Sequence, residues 1–180
     1  GLFVDAAHSD LAFEECSLPI ACGQIVARPS SVARLLWALK VDRARTDSVL
    51  LVGAGSGYVL ALLSGMASHV WGVERYGRLV ADAREHMDTL DINNVAIRHC
   101  DPHQGWKDAA PFDRILVAGA VSEVPEGLLE QLAPEGALVA CVQTANGRQR
   151  IQRQMANGEQ EEWLMPDVLA PLMAGKSRAL

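Results

Sequence analysis

Apolar residues recur along the chain with two different periods. Val32, Leu35, Leu36 and Leu39 fall at i, i+3, i+4 and i+7 behind Pro29 and Ser30, a helical stripe with a start signal. Leu79, Ala83, Met87 and Leu90 form a second stripe with charged residues between them, and Val124, Leu128, Leu129 and Leu132 a third, with Pro125 suited to a first helical turn. Tyr58 to Met66 is apolar all round, as expected of a helix wedged against a sheet. Between these lie short runs without alternation: Val49 to Val52, His69 to Val73 ending on Glu74, Val95 to Ile97 ending near Asp101, Ile115 to Val117, and Ala137 to Ala140. Continuous apolar runs predict strands covered on both faces, and their alternation with helices predicts an α/β, doubly wound, mostly parallel sheet with helices on both faces. After Val142 the pattern changes. Gly147, Asn157 and Gly158 mark turns, and Ile151 and Trp163 to Met165 fit late antiparallel strands.

With 180 residues and 49% hydrophobic content, residues 1–180 read as one domain. The net charge of -6 and the scatter of Lys and Arg among acids argue against a nucleic-acid partner. Arg43 and Arg45 flank a loop and read as solvated surface. No apolar run reaches the ~20 residues of a membrane span, and the N-terminus lacks a signal-peptide layout. Cys16, Cys22, Cys100 and Cys141 show no CxxC spacing and read as buried free thiols of a cytoplasmic protein.

The candidate chemistry lies at strand ends. Gly53-Ala54-Gly55-Ser56-Gly57 joins the first strand to the helix beginning near Tyr58, where glycine permits a tight turn and close passage of a ligand. Glu74 ends the next strand about 20 positions after Gly53, the spacing at which an acid reaches a ribose diol. Asp101 follows the third strand, where a carboxylate can accept from an adenine amino group. Tyr58 breaks the G-x-G-x-x-G/A dinucleotide fingerprint, and no Gly-Lys-Ser/Thr follows to make a P-loop. No basic residue sits in the loop to meet a pyrophosphate. A site for S-adenosylmethionine, which carries adenosine without phosphate, fits best, with Gly53, Ala54, Gly55, Ser56, Glu74 and Asp101 as its residues. His99, Cys100, Asp101 and His103 are dense, but a strand-to-loop segment would have to fold tightly to converge them, so no metal is expected. No cysteine has an evident histidine partner for nucleophilic catalysis. Trp106 reads as packing near the pocket, and Trp37 as core or interface.

From about Ala12 to Val142 the chain resembles the protein-L-isoaspartate O-methyltransferase family. The resemblance rests on Ser17-Leu18-Pro19-Ile20, Gly23-Gln24 and Pro29; Gly53 to Tyr58; Gly105-Trp106; Ala110-Pro111-Phe112-Asp113; and Val124-Pro125 through Leu128-Leu129, Gln131-Leu132 and Gly136 to Val139. It implies a Rossmann-like methyltransferase fold, a family N-terminal helical extension largely absent here, and a protein or peptide substrate. It further implies methyl transfer from S-adenosylmethionine to the side-chain carboxylate of an isoaspartyl residue, as repair. A carboxylate with a solution pKa of about 3.9 is already ionised, so alignment rather than a general base supplies the acceleration. Against the family pattern, the Thr-Ile-Ser stretch after Gly-Gln is Ile25, Val26 and Ala27, without a hydroxyl. The acid before the glycine loop is Leu51, Gly-Asp-Gly is Cys100-Asp101-Pro102, and Val-Thr-Ala-Ala is Val117 to Ala120. Those departures leave open an alternative, a non-catalytic or substrate-shifted relative that keeps the cofactor site.

Overall fold

The computed structural model describes residues 1–42, 44 and 46–177; Arg43 and Arg45, read above as solvated surface, lie outside the described residues. After a 3-10 turn at Ala6–Leu11, a hairpin of β1 (Leu18–Ile20) and β2 (Gln24–Val26) stands apart as a two-stranded sheet. Then follow α1 (Pro29–Leu39), β3 (Ser48–Val52), α2 (Tyr58–Ser64), β4 (His69–Glu74), α3 (Gly77–Thr89) and β5 (Val95–His99). The remainder is β6 (Phe112–Val121), α4 (Glu126–Leu129), β7 (Leu132–Gln143), β8 (Gln149–Met155) and β9 (Gln160–Met165).

The main sheet has the order β5-β4-β3-β6-β7-β8-β9. The five strands from β5 to β7 run parallel; β8 and β9 add an antiparallel meander, as Gly147, Asn157 and Gly158 predicted. Chain order reverses between β3 and β6, so a crevice opens beyond their carboxyl ends.

Side-chain parity divides the core between the two faces. Val49 and Leu51 of β3 join Val139 and Cys141 of β7 under Leu35, Leu39, Leu60, Leu63, Val80 and Ala83 of α1, α2 and α3. Leu50, Val52, Leu138 and Ala140 face the opposite way, toward Phe112, Leu128, Trp71 and Trp106. Leu50 and Leu51 are both fully buried, on opposite faces, each burial being worth about 1.5–3 kcal/mol. The two layers are unequal. Three helices cover one face, whereas short α4, two 3-10 turns (Pro102–Gln104 and Lys107–Ala109) and aromatic side chains cover the other.

Three expectations change. The third stripe is no long helix: α4 has four residues with Pro125 as its cap, and Leu132 already opens β7, where it pairs with Phe112. Leu90 lies just past α3 and is exposed, because the helix ends at Thr89 before that turn of the stripe is complete. All four thiols are free, but Cys141 alone is fully buried; Cys16, Cys22 and Cys100 are half-buried on loops and strand ends.

The antiparallel meander also anchors the segment after β9. Gln149, buried at the start of β8, accepts from the Leu169 amide at 2.8 Å and donates to its carbonyl at 3.0 Å. Beyond it, the Ala120 amide donates to Ala170 O and the Leu172 amide to Ala120 O, both at 2.8 Å, a parallel bridge on β6. Gln149→Ala strands both Leu169 backbone groups in dry surroundings. A loss of about 1–3 kcal/mol is expected from urea denaturation, and an unchanged midpoint would refute the clamp. Burial pushes the Cys141 thiol up to about 12, so native protein treated with iodoacetamide at pH 8 should stay unmodified there by mass spectrometry.

Candidate functional site

The glycine loop leaves β3 at the switch point, and most of its amides are already engaged. Gly53 N and Ala54 N both donate to Val73 O, at 2.9 and 3.1 Å, and Gly57 N donates to Ala54 O at 3.0 Å. Gly55 N donates to Glu74 Oε2 at 2.9 Å. Gly57 is required where it stands: its φ is 92°, and a Cβ there would lie 3.2 Å from Ala83 Cβ and Met87 Cε. This is close packing of the α2 N-terminus on α3. His86 of α3 reaches back to the loop, its Nδ1 2.8 Å from Ser56 O, which fixes the Nδ1–H tautomer as the donor.

Glu74 is the acid at the centre of this arrangement. It is 5% exposed; Oε2 accepts from Gly55 N and Oε1 from Tyr76 N at 3.0 Å. Each oxygen keeps a further lone pair for a donor in the crevice. A loop whose amides are turned inward, with a carboxylate beneath it, is unsuited to cradling phosphate, which needs outward N–H groups and positive potential. An uncharged diol, a hydrogen-bond donor, fits. The crevice around Glu74 is lined by Gly53, Gly55, Gln24, Tyr76, Ala118 and Leu172 among others.

The other sequence candidates divide. Ala54 is buried in the core and contributes backbone alone. Ser56 turns its hydroxyl away, donating to Phe3 O at 2.7 Å, so it ties the N-terminal segment to the loop. Phe3 in turn packs against Tyr58 and His86. Asp101 caps the Pro102–Gln104 turn, accepting from His103 N at 3.0 Å, while Pro102 lines the crevice. Leu51 is sealed in the core, and Ala27 lines the cavity beside the loop.

In the dense stretch after β5, His99 Nε2 lies 2.8 Å from Arg75 O and Cys100 Sγ 3.9 Å from Gly105 O. Among the described residues no group of three or more His, Cys, Asp or Glu is placed to hold a metal ion. Cys22, in the turn between β1 and β2, has φ 62°; burial, then the charges of Asp82 and Glu74, raise its thiol above the ordinary range. Burial likewise raises Cys100. No helix among the described residues is long and apolar enough to cross a membrane.

Two parts of the site escaped the sequence reading. One is the roof made by Ala170 to Leu172, which takes the place β3 vacates beside β6. Leu172 Cδ1 lies 3.2 Å from where a Gly53 Cβ would stand, and Leu172 N lies 3.1 Å from where a Gly119 Cβ would stand. The apolar run around Pro171 was its single local signal. The other is Arg28, capping α1, paired with Asp167 from the far end of the chain at 3.1 Å. Nothing in the local sequence announces that pair.

The sequence model of the protein-L-isoaspartate(D-aspartate) O-methyltransferase family matches residues 1–169. A protein-L-isoaspartate O-methyltransferase of Azorhizobium caulinodans is 40% identical over 182 residues, covering 100% of this chain and 83% of that protein. One from Ruegeria is 39% identical, covering 97% of this chain and 81% of the relative. A solved protein-L-isoaspartate O-methyltransferase superposes with a TM-score of 0.81 at 21% identity, over 94% of this chain and 56% of that one. A Plasmodium falciparum structure described as a protein-L-isoaspartate O-methyltransferase, in complex with S-adenosyl-L-homocysteine, gives 0.73 at 24% identity, over 96% and 85%. These two structures share the Rossmann-like methyltransferase fold with this chain. With a family match over residues 1–169 and relatives near 40% identity across its length, the chain belongs to the protein-L-isoaspartate(D-aspartate) O-methyltransferase family.

Proposed function

We propose that this chain is an S-adenosylmethionine-dependent O-methyltransferase acting on the free carboxylate of isoaspartyl residues in proteins or peptides. The observation that carries the reading is Glu74, a buried acid held under an inward-bonded glycine loop at the switch point of a parallel sheet. Gly53 and Gly55 bring backbone close to the ligand, Glu74 accepts from the ribose hydroxyls, and Ala170 to Leu172 exclude water from above. Ala54 and Ser56 shape the loop through their backbone, and Asp101 orders the turn that carries Pro102 to the adenine end. S-adenosylmethionine, when bound, would supply an electrophilic methyl carbon to a carboxylate oxygen, with the carbon–sulfur pair left on sulfur and no proton to be moved. Holding the carboxylate in line is then the chain's main contribution.

The reading takes residues 1–180 as one catalytic domain, with a protein or peptide partner rather than a nucleic acid, in keeping with the net charge of -6. Four free thiols favour a reducing, cytoplasmic setting.

Calorimetric titration with S-adenosylhomocysteine should give binding that Glu74→Ala weakens about 10- to 150-fold. Equal affinity in the variant would remove Glu74 from the site. Transfer of labelled methyl from S-adenosylmethionine to an isoaspartyl peptide tests the acceptor; protein that binds the homocysteine product yet gives no transfer would sink that part. The raised Cys22 thiol stays protonated at neutral pH, so Cys22→Ser should retain turnover within about threefold. A loss of turnover on that substitution would point to covalent chemistry instead.

A further inference from the structure

Among the described residues the cavity beside the glycine loop is lined by one cation, Arg28, together with Ala27, Ser31, Tyr58, Asp167 and residues 53–56. Nearby hydroxyls are partly committed: Ser31 Oγ donates to Asp167 Oδ2 at 2.6 Å, and Ser56 is held by Phe3 O. The stretch Ile25 to Ala27 offers no side-chain donor at all. Among the described residues, a carboxylate entering here meets Arg28 as its cationic partner, with Asp167 on the far side of that guanidinium's ion pair.

Asp167 does not satisfy that guanidinium. The pair is a single contact, Nη1 to Oδ1 at 3.1 Å, with the Arg28 side chain 40% exposed. Nε of Arg28 is enclosed and has no acceptor among the described residues. A guanidinium presents five donors in a planar fork, and a carboxylate that accepts two of them is bound more strongly than one at a single point. A single-point ion pair on a part-exposed guanidinium is weak, so a ligand that engages two of its donors can displace it.

We propose that Arg28 binds the acceptor carboxylate and makes this site selective for anionic acceptors. Asp167 holds Arg28 in the free protein and takes it back once the carboxylate has become a neutral ester. The proposal rests on the methyl-transfer reading for its substrate, and its test is therefore a binding measurement that needs no turnover. In the presence of S-adenosylhomocysteine, binding of a labelled isoaspartyl peptide is compared by anisotropy with binding of the same peptide carrying an isoasparaginyl carboxamide. Wild-type protein should prefer the carboxylate about 10- to 100-fold. Arg28→Gln should bring the two peptides within about threefold, Arg28→Lys should restore part of the preference, and Asp167→Asn should tighten the carboxylate peptide. Affinity for S-adenosylhomocysteine should stay within about twofold in all three, which separates loss of acceptor recognition from loss of folding. Equal binding of the two peptides by wild type, no peptide binding, or an undiminished preference in Arg28→Gln each overturns the proposal. Methyl transfer that ignores Arg28 would leave the proposed function standing without it. Arg28-dependent binding without transfer would do the reverse.

Discussion

A single buried carboxylate connects the two halves of the crevice. Glu74 ends β4, yet its oxygens are spent on the amide of Gly55, in the loop after β3, and of Tyr76, at the start of α3. A charged group that is 5% exposed is tolerable only with such donors around it, since an unpaired buried charge is expensive. The bonds therefore act in both directions: they satisfy the acid inside the protein, and they fix the height at which the glycine loop passes over the sheet. Gly57 packing on Ala83 and Met87, and His86 reaching Ser56 O, place α3 against the same loop.

Around that centre, segments outside the parallel sheet converge. The N-terminal stretch arrives through Phe3, the β1–β2 hairpin through Gln24 and Ala27, and the segment after β9 through Asp167 to Leu172. The antiparallel β8 and β9 have a role here: Gln149, gripping Leu169, helps direct the following residues to the edge that β6 leaves open beside Ala120. One end of the crevice thus recognises a ligand through the ordinary machinery of a doubly wound sheet, and the other is walled by contributions particular to this chain.

Much of this was legible in the order of residues. Strands buried on both faces must be apolar throughout, so β3, β4 and β7 stand out, and a glycine-rich turn followed by an acid at the next strand end marks the ligand side of the sheet. The stripe through Val124, Leu128, Leu129 and Leu132 misled because a helical period cannot see that Leu132 pairs with Phe112 across the sheet. The partners that direct the Ser56 and Asp101 side chains were not legible in the sequence. The direction of the Ser56 hydroxyl is decided by a carbonyl 53 residues away, and the Asp101 carboxylate is drawn to the amide of His103. Arg28 was passed over because its partner comes 139 residues later, and charge in a sequence carries no address.

The bridge between Ala120 and Pro171 has a consequence for how the crevice comes into being. The pairing of β3 to β7 uses no residue after β7, whereas the roof follows β9 and is directed to β6 with the help of Gln149 in β8. The roof thus adds to a sheet whose pairing does not require it, and its addition carries the entropy of closing the chain between Ala120 and Pro171. Ligand affinity is thereby a property of the finished chain: a partly folded intermediate with an intact central sheet would have a floor but no ceiling to its crevice. Ligand binding should in turn select the completed state over such intermediates, adding stability in proportion to the logarithm of ligand concentration.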